Sequence, residues 1–244
     1  MKEIIEIDSV KKVKAYLTMP ESKPKGGIIV IHEVWGLDDH IKSVADRFAN
    51  EGYVAIAPEL LDNSEFSSEE IARLQRSIFD ENERNKVQPQ LRKLMAPMQE
   101  PQFGDVTIKR LKSVFDYIYS VKKANKNISV IGFCFGGSYS YALATVESRL
   151  KLSLPFYGHS DQTIDELVKI NCPVRAFYGQ NDLRLISGID DLKERMKSAK
   201  VDYKVKIYEN CGHAFFNDSN PGAYNKAAAT DAWNRVLVEL GKIR

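Results

Sequence analysis

Three side chains in this sequence are suited to nucleophilic chemistry on acyl groups: Cys134, Asp182 and His213. Cys134 stands in Gly132-Phe133-Cys134-Phe135-Gly136-Gly137, after a β-branched run at 128–131 and before residues 138–144, which read as a helix start. Gly-x-nucleophile-x-Gly between a strand and a helix is the nucleophile-elbow pattern, here with Cys where Ser is more usual. Flanking side chains in such a strained turn would collide with the neighbouring strand and helix, hence glycine. The turn lifts the sulfur above the sheet and aims the N–H of Phe135 at a developing negative charge. A free thiol titrates near 8.5, which leaves only a few per cent thiolate at neutral pH. An imidazole beside it lowers that value and takes the proton. His213, between Gly212 and Ala214, sits in a loop able to present its ring, and Asp182 can hold that ring in one tautomer and stabilise its charged form. Taken singly, each has a plainer reading: a tight turn between strand and helix, a turn residue in Gln180-Asn181-Asp182, a loop histidine. Together they follow the order nucleophile, acid, His, with 48 positions from 134 to 182 and 31 from 182 to 213.

These residues need a scaffold that brings distant loops together, and the pattern of the chain predicts one. Residues 13–17 alternate apolar and polar, as in an exposed edge strand. Residues 26–31 form a continuous apolar run, as in a central parallel strand, and end in His32-Glu33-Val34-Trp35-Gly36. Asp38 or Asp39 caps a helix with Ile41, Val44, Ala45 and Phe48 on one face, closed by Gly52. Further strands are expected at 53–58, 128–131, 152–158, 173–179 and 203–208, with helices at 105–122 and 223–240. Strands alternating with helices give an α/β architecture, a mostly parallel doubly wound sheet flanked by helices. In such sheets ligands bind at the carboxyl ends of the strands, where Glu33, Cys134, Asp182 and His213 all fall. The order of the last three is that of the α/β-hydrolase fold. Residues 61–103 break the pattern: acidic and serine-rich, then charged and helical, interrupted by Pro89, Pro97 and Pro101. They are expected either to form a lid or pocket wall within a single domain spanning 1–244, or to lie as solvated helices away from any site.

Composition narrows the function further. At 244 residues, 43% hydrophobic and 28% charged, the chain has the length and balance of one large globular domain. A net charge of +2, from 35 basic and 33 acidic residues, gives no footprint for nucleic acid or an anionic membrane. The acidic, mixed N-terminus does not resemble a secretory signal, and no apolar run approaches a membrane span, so a cytoplasmic location is expected. Three cysteines argue against a disulfide framework: Cys172, before Pro173, reads as packing, and Cys211-Gly212-His213 lacks the second ligand pair of a zinc site. No metal and no cofactor are expected.

The chain resembles the dienelactone hydrolase family. The resemblance rests on His32-Glu33-Val34-Trp35-Gly36-Leu37, on Gly52-Tyr53-Val54-Ala55-Ile56-Ala57-Pro58-Glu59-Leu60 and on the Cys134 elbow. Tyr157-Gly158, Tyr178-Gly179-Gln180-Asn181-Asp182 and Gly212-His213-Ala214-Phe215 complete it, and only about 61–103 matches poorly. It implies a carboxylic ester hydrolase of the carboxymethylenebutenolidase type, acting on a small-molecule ester or lactone; separately, a monomer or homodimer is expected. Cys134 would attack the carbonyl, His213 would serve as base and then acid, and Asp182 would stand behind it. The N–H groups of Phe135 and Val34 would form the oxyanion hole, with Glu33 as the family's extra carboxylate governing thiol ionisation. Where the dienelactone-cleaving type has Ser and Arg, one and four places after the catalytic His, this chain has Ala214 and Asn217. Asn cannot give the bidentate grip on a substrate carboxylate that Arg gives, so the substrate need not be a dienelactone. Trp35 and Asn217 are expected at the substrate, and Tyr157 and His159 either line the pocket or pack beneath it. Cleavage of thioesters by the same triad, or a relative that binds ligands without catalysis, are the alternatives.

Overall fold

The computed structural model describes residues 1–61, 65–78, 80 and 82–243. Its centre is an eight-stranded sheet in the order β1-β2-β4-β3-β5-β6-β7-β8. The strands are β1 (Lys2–Ile7), β2 (Val13–Thr18), β3 (Gly26–Ile31), β4 (Tyr53–Pro58), β5 (Ile128–Phe133), β6 (Leu152–Phe156), β7 (Val174–Gly179) and β8 (Tyr203–Tyr208). From β4 to β8 neighbouring strands run parallel, whereas β2 lies antiparallel to both β4 and β1. The strands β3, β4 and β5 are buried along their whole length, as their uninterrupted apolar sequences require of strands covered on both faces.

The helices are α1 (Asp39–Asn50), α2 (Ser68–Ser77), α3 (Gln88–Met95), α4 (Phe103–Ser120), α5 (Phe135–Val146), α6 (Ile164–Leu167), α7 (Leu183–Ile186), α8 (Ile189–Ser198) and α9 (Lys226–Gly241). Asp38 caps α1 by accepting the N–H of Ile41 at 2.9 Å, and Ile41, Val44, Ala45 and Phe48 belong to its buried face. In α9, Trp233, Val236 and Leu240 face the core, and Leu237 packs half-buried beside them.

One expectation needs correction, and one element is not anticipated. The strand at 13–17 is not an edge: β1, from Lys2 to Ile7, pairs along it and takes that place. Alternation reports that one face is buried, and says nothing about lateral neighbours. The helix α8 adds an element that the pattern of the chain does not announce, because only Ile189, Leu192 and Met196 are buried in a stretch dominated by charge. Residues 65–99 contribute α2, α3 and a short 3₁₀ turn, Ala96–Gln99. Leu74, Val87 and Leu94 close with Trp35 into a small second core, so this segment is anchored to the loop after β3 rather than splayed into solvent.

Candidate active site

Strand β5 ends at Phe133 and α5 begins at Phe135, leaving Cys134 alone in the turn at φ 53°, ψ −111°. A residue with a Cβ is strained in this conformation, and the surroundings hold it there. The Cys134 N–H donates to the Phe156 carbonyl at 3.0 Å, and the Gly136 N–H donates to the His32 carbonyl at 3.1 Å. A Cβ on Gly132 would lie 2.0 Å from the Gly136 carbonyl oxygen, and one on Gly136 would lie 2.3 Å from that of Ile31. The glycines are therefore required by the approach of α5 to β3 and β5, as the elbow pattern anticipates. Among the described residues, the N–H groups of Phe135 and Val34 have no main-chain acceptor.

The acid and the imidazole come from the ends of β7 and β8. The Gln180 N–H donates to the Tyr208 carbonyl at 2.9 Å, and the Asn181 N–H to the Cys211 carbonyl at 2.8 Å. These bonds lock the two loops together, and Gly179 allows it: a Cβ there would stand 2.3 Å from the Gly212 carbonyl oxygen. The result is a contact of 2.5 Å between His213 Nδ1 and Asp182 Oδ2, with the Asp182 side chain only 10% exposed. A carboxylate accepts, so Nδ1 carries the proton and Nε2 is left free for the Cys134 thiol, which lies near enough to act on the ring's titration. Burial pulls the His213 pKa down, but the hydrogen bonds and charges of Asp182 and Cys134 outweigh it and hold the imidazole above its ordinary range.

Glu33 is held by neutral donors. Its side chain is buried, Oε1 accepts the Tyr157 hydroxyl at 3.1 Å and Oε2 accepts the Asn217 amide at 2.7 Å. The orientation of Asn217 follows from its other end, where Oδ1 accepts both the N–H and the hydroxyl of Ser219. Tyr157 also lies against His213, with ring centroids 5.0 Å apart, and burial together with the Glu33 charge drives its phenol pKa well up. It donates a hydrogen bond and does not ionise.

One contributor is not evident from the sequence. His32 is fully buried, its Nδ1 lies 2.5 Å from the Glu33 carbonyl, and its Nε2 accepts the Leu60 N–H at 3.0 Å. Donating at one nitrogen and accepting at the other makes it a neutral imidazole of one tautomer, and burial lowers its pKa to about 4. Its 3.5 Å approach to Glu59 is therefore not an ion pair. His32 fastens the loop carrying Glu33 and Val34 to the end of β4. Its only signal in the sequence is a His at the end of an otherwise apolar strand.

The structure thus unites Cys134, His213 and Asp182 at three strand ends, with Glu33, Tyr157 and Asn217 beside them. Asn217 does not face a substrate as expected: it is fully buried and serves Glu33. Tyr157 is likewise beneath the site, not in its wall. His159 is exposed, shares a 2.9 Å hydrogen bond with the Ser138 hydroxyl, and approaches Asp161 at 3.1 Å. Trp35 joins the wall of a cavity of about 1440 Å³ under residues 65–103. Among the described residues, no helix is long and apolar enough to cross a membrane.

A mostly parallel eight-stranded sheet flanked by helices, with a nucleophile-type elbow after β5, defines an α/β-hydrolase fold. The chain belongs to the dienelactone hydrolase family, whose model matches residues 13–243. A Saccharolobus solfataricus protein named "Putative carboxymethylenebutenolidase" is 34% identical over 99% of this chain and 98% of its own. Two solved structures share the fold. The "Putative Dienelactone Hydrolase" of Klebsiella pneumoniae superposes with a TM-score of 0.82 at 24% identity, covering 99% of this chain and 98% of that one. A dienelactone hydrolase-like promiscuous phosphotriesterase from metagenomic libraries gives 0.77 at 20% identity, again over 99% and 98%.

Proposed function

We propose that this hydrolase cleaves small-molecule carboxylic esters or lactones through a Cys134-His213-Asp182 triad and a thioester acyl-enzyme. The observation that carries the reading is an imidazole fixed by a buried carboxylate, on the loop that meets the end of β7, with the elbow thiol near enough to raise its pKa. With its proton held on the ring, His213 leaves Cys134 as the attacking thiolate. Sulfur adds to the carbonyl carbon, and the C–S bond forms as the carbonyl oxygen takes up the negative charge. The N–H groups of Phe135 and Val34 are the donors for that charge. The C–O bond to the leaving group then breaks, and His213 Nε2 gives the departing oxygen its proton. Neutral His213 next takes a proton from water, whose oxygen attacks the thioester. The C–S bond breaks, and the acid leaves. Asp182 holds the tautomer throughout. Glu33, fixed by Tyr157 and Asn217, supplies the further carboxylate of the site.

Cys134→Ala and His213→Ala are each expected to abolish hydrolysis of p-nitrophenyl acetate while the far-ultraviolet circular dichroism stays native. Full turnover in either variant would remove the proposal.

A further inference from the structure

The cavity beneath residues 65–103 is larger than the roughly 300–1,000 Å³ of most small-molecule sites. Its walls do not include Cys134, His213 or Asp182, yet it begins one residue from Val34 and one ring contact from Phe135, the two proposed oxyanion donors. Trp35, next to Val34, forms part of the wall. So does Phe103, whose ring packs 6.1 Å from that of Phe135. Much of the remaining lining is apolar, including Leu37, Leu60, Ile71 and Leu94. Three wall residues carry a buried polar atom without a hydrogen-bond partner among the described residues, His40 Nε2, Glu59 Oε1 and Gln75 Nε2, and of these the Gln75 amide is an unambiguous donor. Gln75 is 6% exposed, and its Nε2 has no hydrogen-bond partner among the described residues. A buried amide donor left unpaired costs free energy that an incoming acceptor recovers.

We propose that this cavity receives an extended apolar arm of the substrate, and that the arm carries a carbonyl-type oxygen which accepts from Gln75. The substrate class is then an ester with a medium-length aliphatic or aryl chain bearing an oxo group, not a compact lactone. This rests on the proposed hydrolytic role of Cys134. It assigns the part of the substrate that lies away from the reacting carbonyl.

The test is a chain-length series of esters with the arm extended on the acyl side, and a second series extended on the alcohol side. Each methylene that enters the cavity raises kcat/KM about fourfold. The rise is expected in at least one series, and a flat response in both overturns the proposal. Ala72→Trp, which fills the cavity from α2, is expected to abolish the rise while turnover of p-nitrophenyl acetate is retained, so that acetate activity reports the fold. Gln75→Leu is expected to erase a preference of about three- to tenfold for an oxo-bearing chain over the plain one, through KM rather than kcat. A variant that keeps the rise and the preference would overturn it. The failure of the hydrolytic reading is separable. If no ester, acetate included, is turned over, calorimetry with the non-hydrolysable long-chain ketone decides. Binding to the wild type that is lost in Ala72→Trp supports the cavity assignment, and absence of binding ends it.

Discussion

His32 gives the sharpest quantitative consequence of the structure. Its ordinary pKa of 6.5 falls to about 4 in the folded protein, because complete burial penalises the charged ring by more than the hydrogen bond to the Glu33 carbonyl favours it, and Nε2 is already taken as an acceptor by the Leu60 N–H. The unfolded chain therefore binds one more proton than the folded chain between those two values. Stability from this group is complete above pH 6.5 and is lost as the pH falls toward 4. At about 1.36 kcal/mol per pH unit, a gap of about 2.5 units makes the loss about 3 kcal/mol. That is a large part of the roughly 5–15 kcal/mol that stabilises a typical domain. The perturbation is His32→Gln, which keeps a donor and an acceptor but cannot titrate. Urea unfolding of wild type and variant at about pH 7, 5.5 and 4 gives the two stabilities by linear extrapolation. Other groups titrate in both proteins and cancel in the difference. The wild type is expected to lead near neutral pH and to lose about 3 kcal/mol of that lead on acidification to about pH 4. Parallel curves would refute the claim that His32 is buried neutral in the tautomer described. Loss of ester turnover should accompany the acid transition, since protonated Nε2 can no longer accept from Leu60 and the loop bearing Glu33 and Val34 loses its tether.

Three further outcomes follow from the site. Asp182→Asn should leave the fold intact and lower kcat by about 10⁴-fold, since the amide would favour the wrong imidazole tautomer; steady-state ester hydrolysis measures it. Gly136→Ala forces a Cβ to 2.3 Å from the Ile31 carbonyl and 2.7 Å from that of His32, both main-chain atoms, so a loss of about 3 kcal/mol or more is expected in thermal unfolding. Asn217→Leu leaves Glu33 Oε2 buried without its donor, and a destabilisation of about 1–3 kcal/mol should appear in denaturant titration, larger than for Asn at an exposed position.

Most of what surrounds Cys134 is legible without coordinates. A nucleophile between glycines at a strand-to-helix turn is a narrow signature, because the close approach that excludes Cβ is local to the motif. The central strands are equally legible, since burial on both faces demands unbroken apolar runs such as residues 26–31. Less legible are β1 and α8, whose mixed composition reflects partial burial. The role of Asn217 is hidden from the sequence: its position near the imidazole points to substrate, while its partner, Glu33, lies 184 residues away.

The amino-acid sequence alone determined which chemistry was on offer and the order in which its groups occur, because residue type, turn geometry and hydrophobic period are encoded over a few neighbours. Tertiary structure decided which groups meet. His213 against Asp182, two neutral donors on Glu33, the tautomer of His32 and the cavity behind Trp35 each depend on contacts between segments far apart in the chain. Such contacts are selected by packing of the whole sheet and its helices, which no local pattern records.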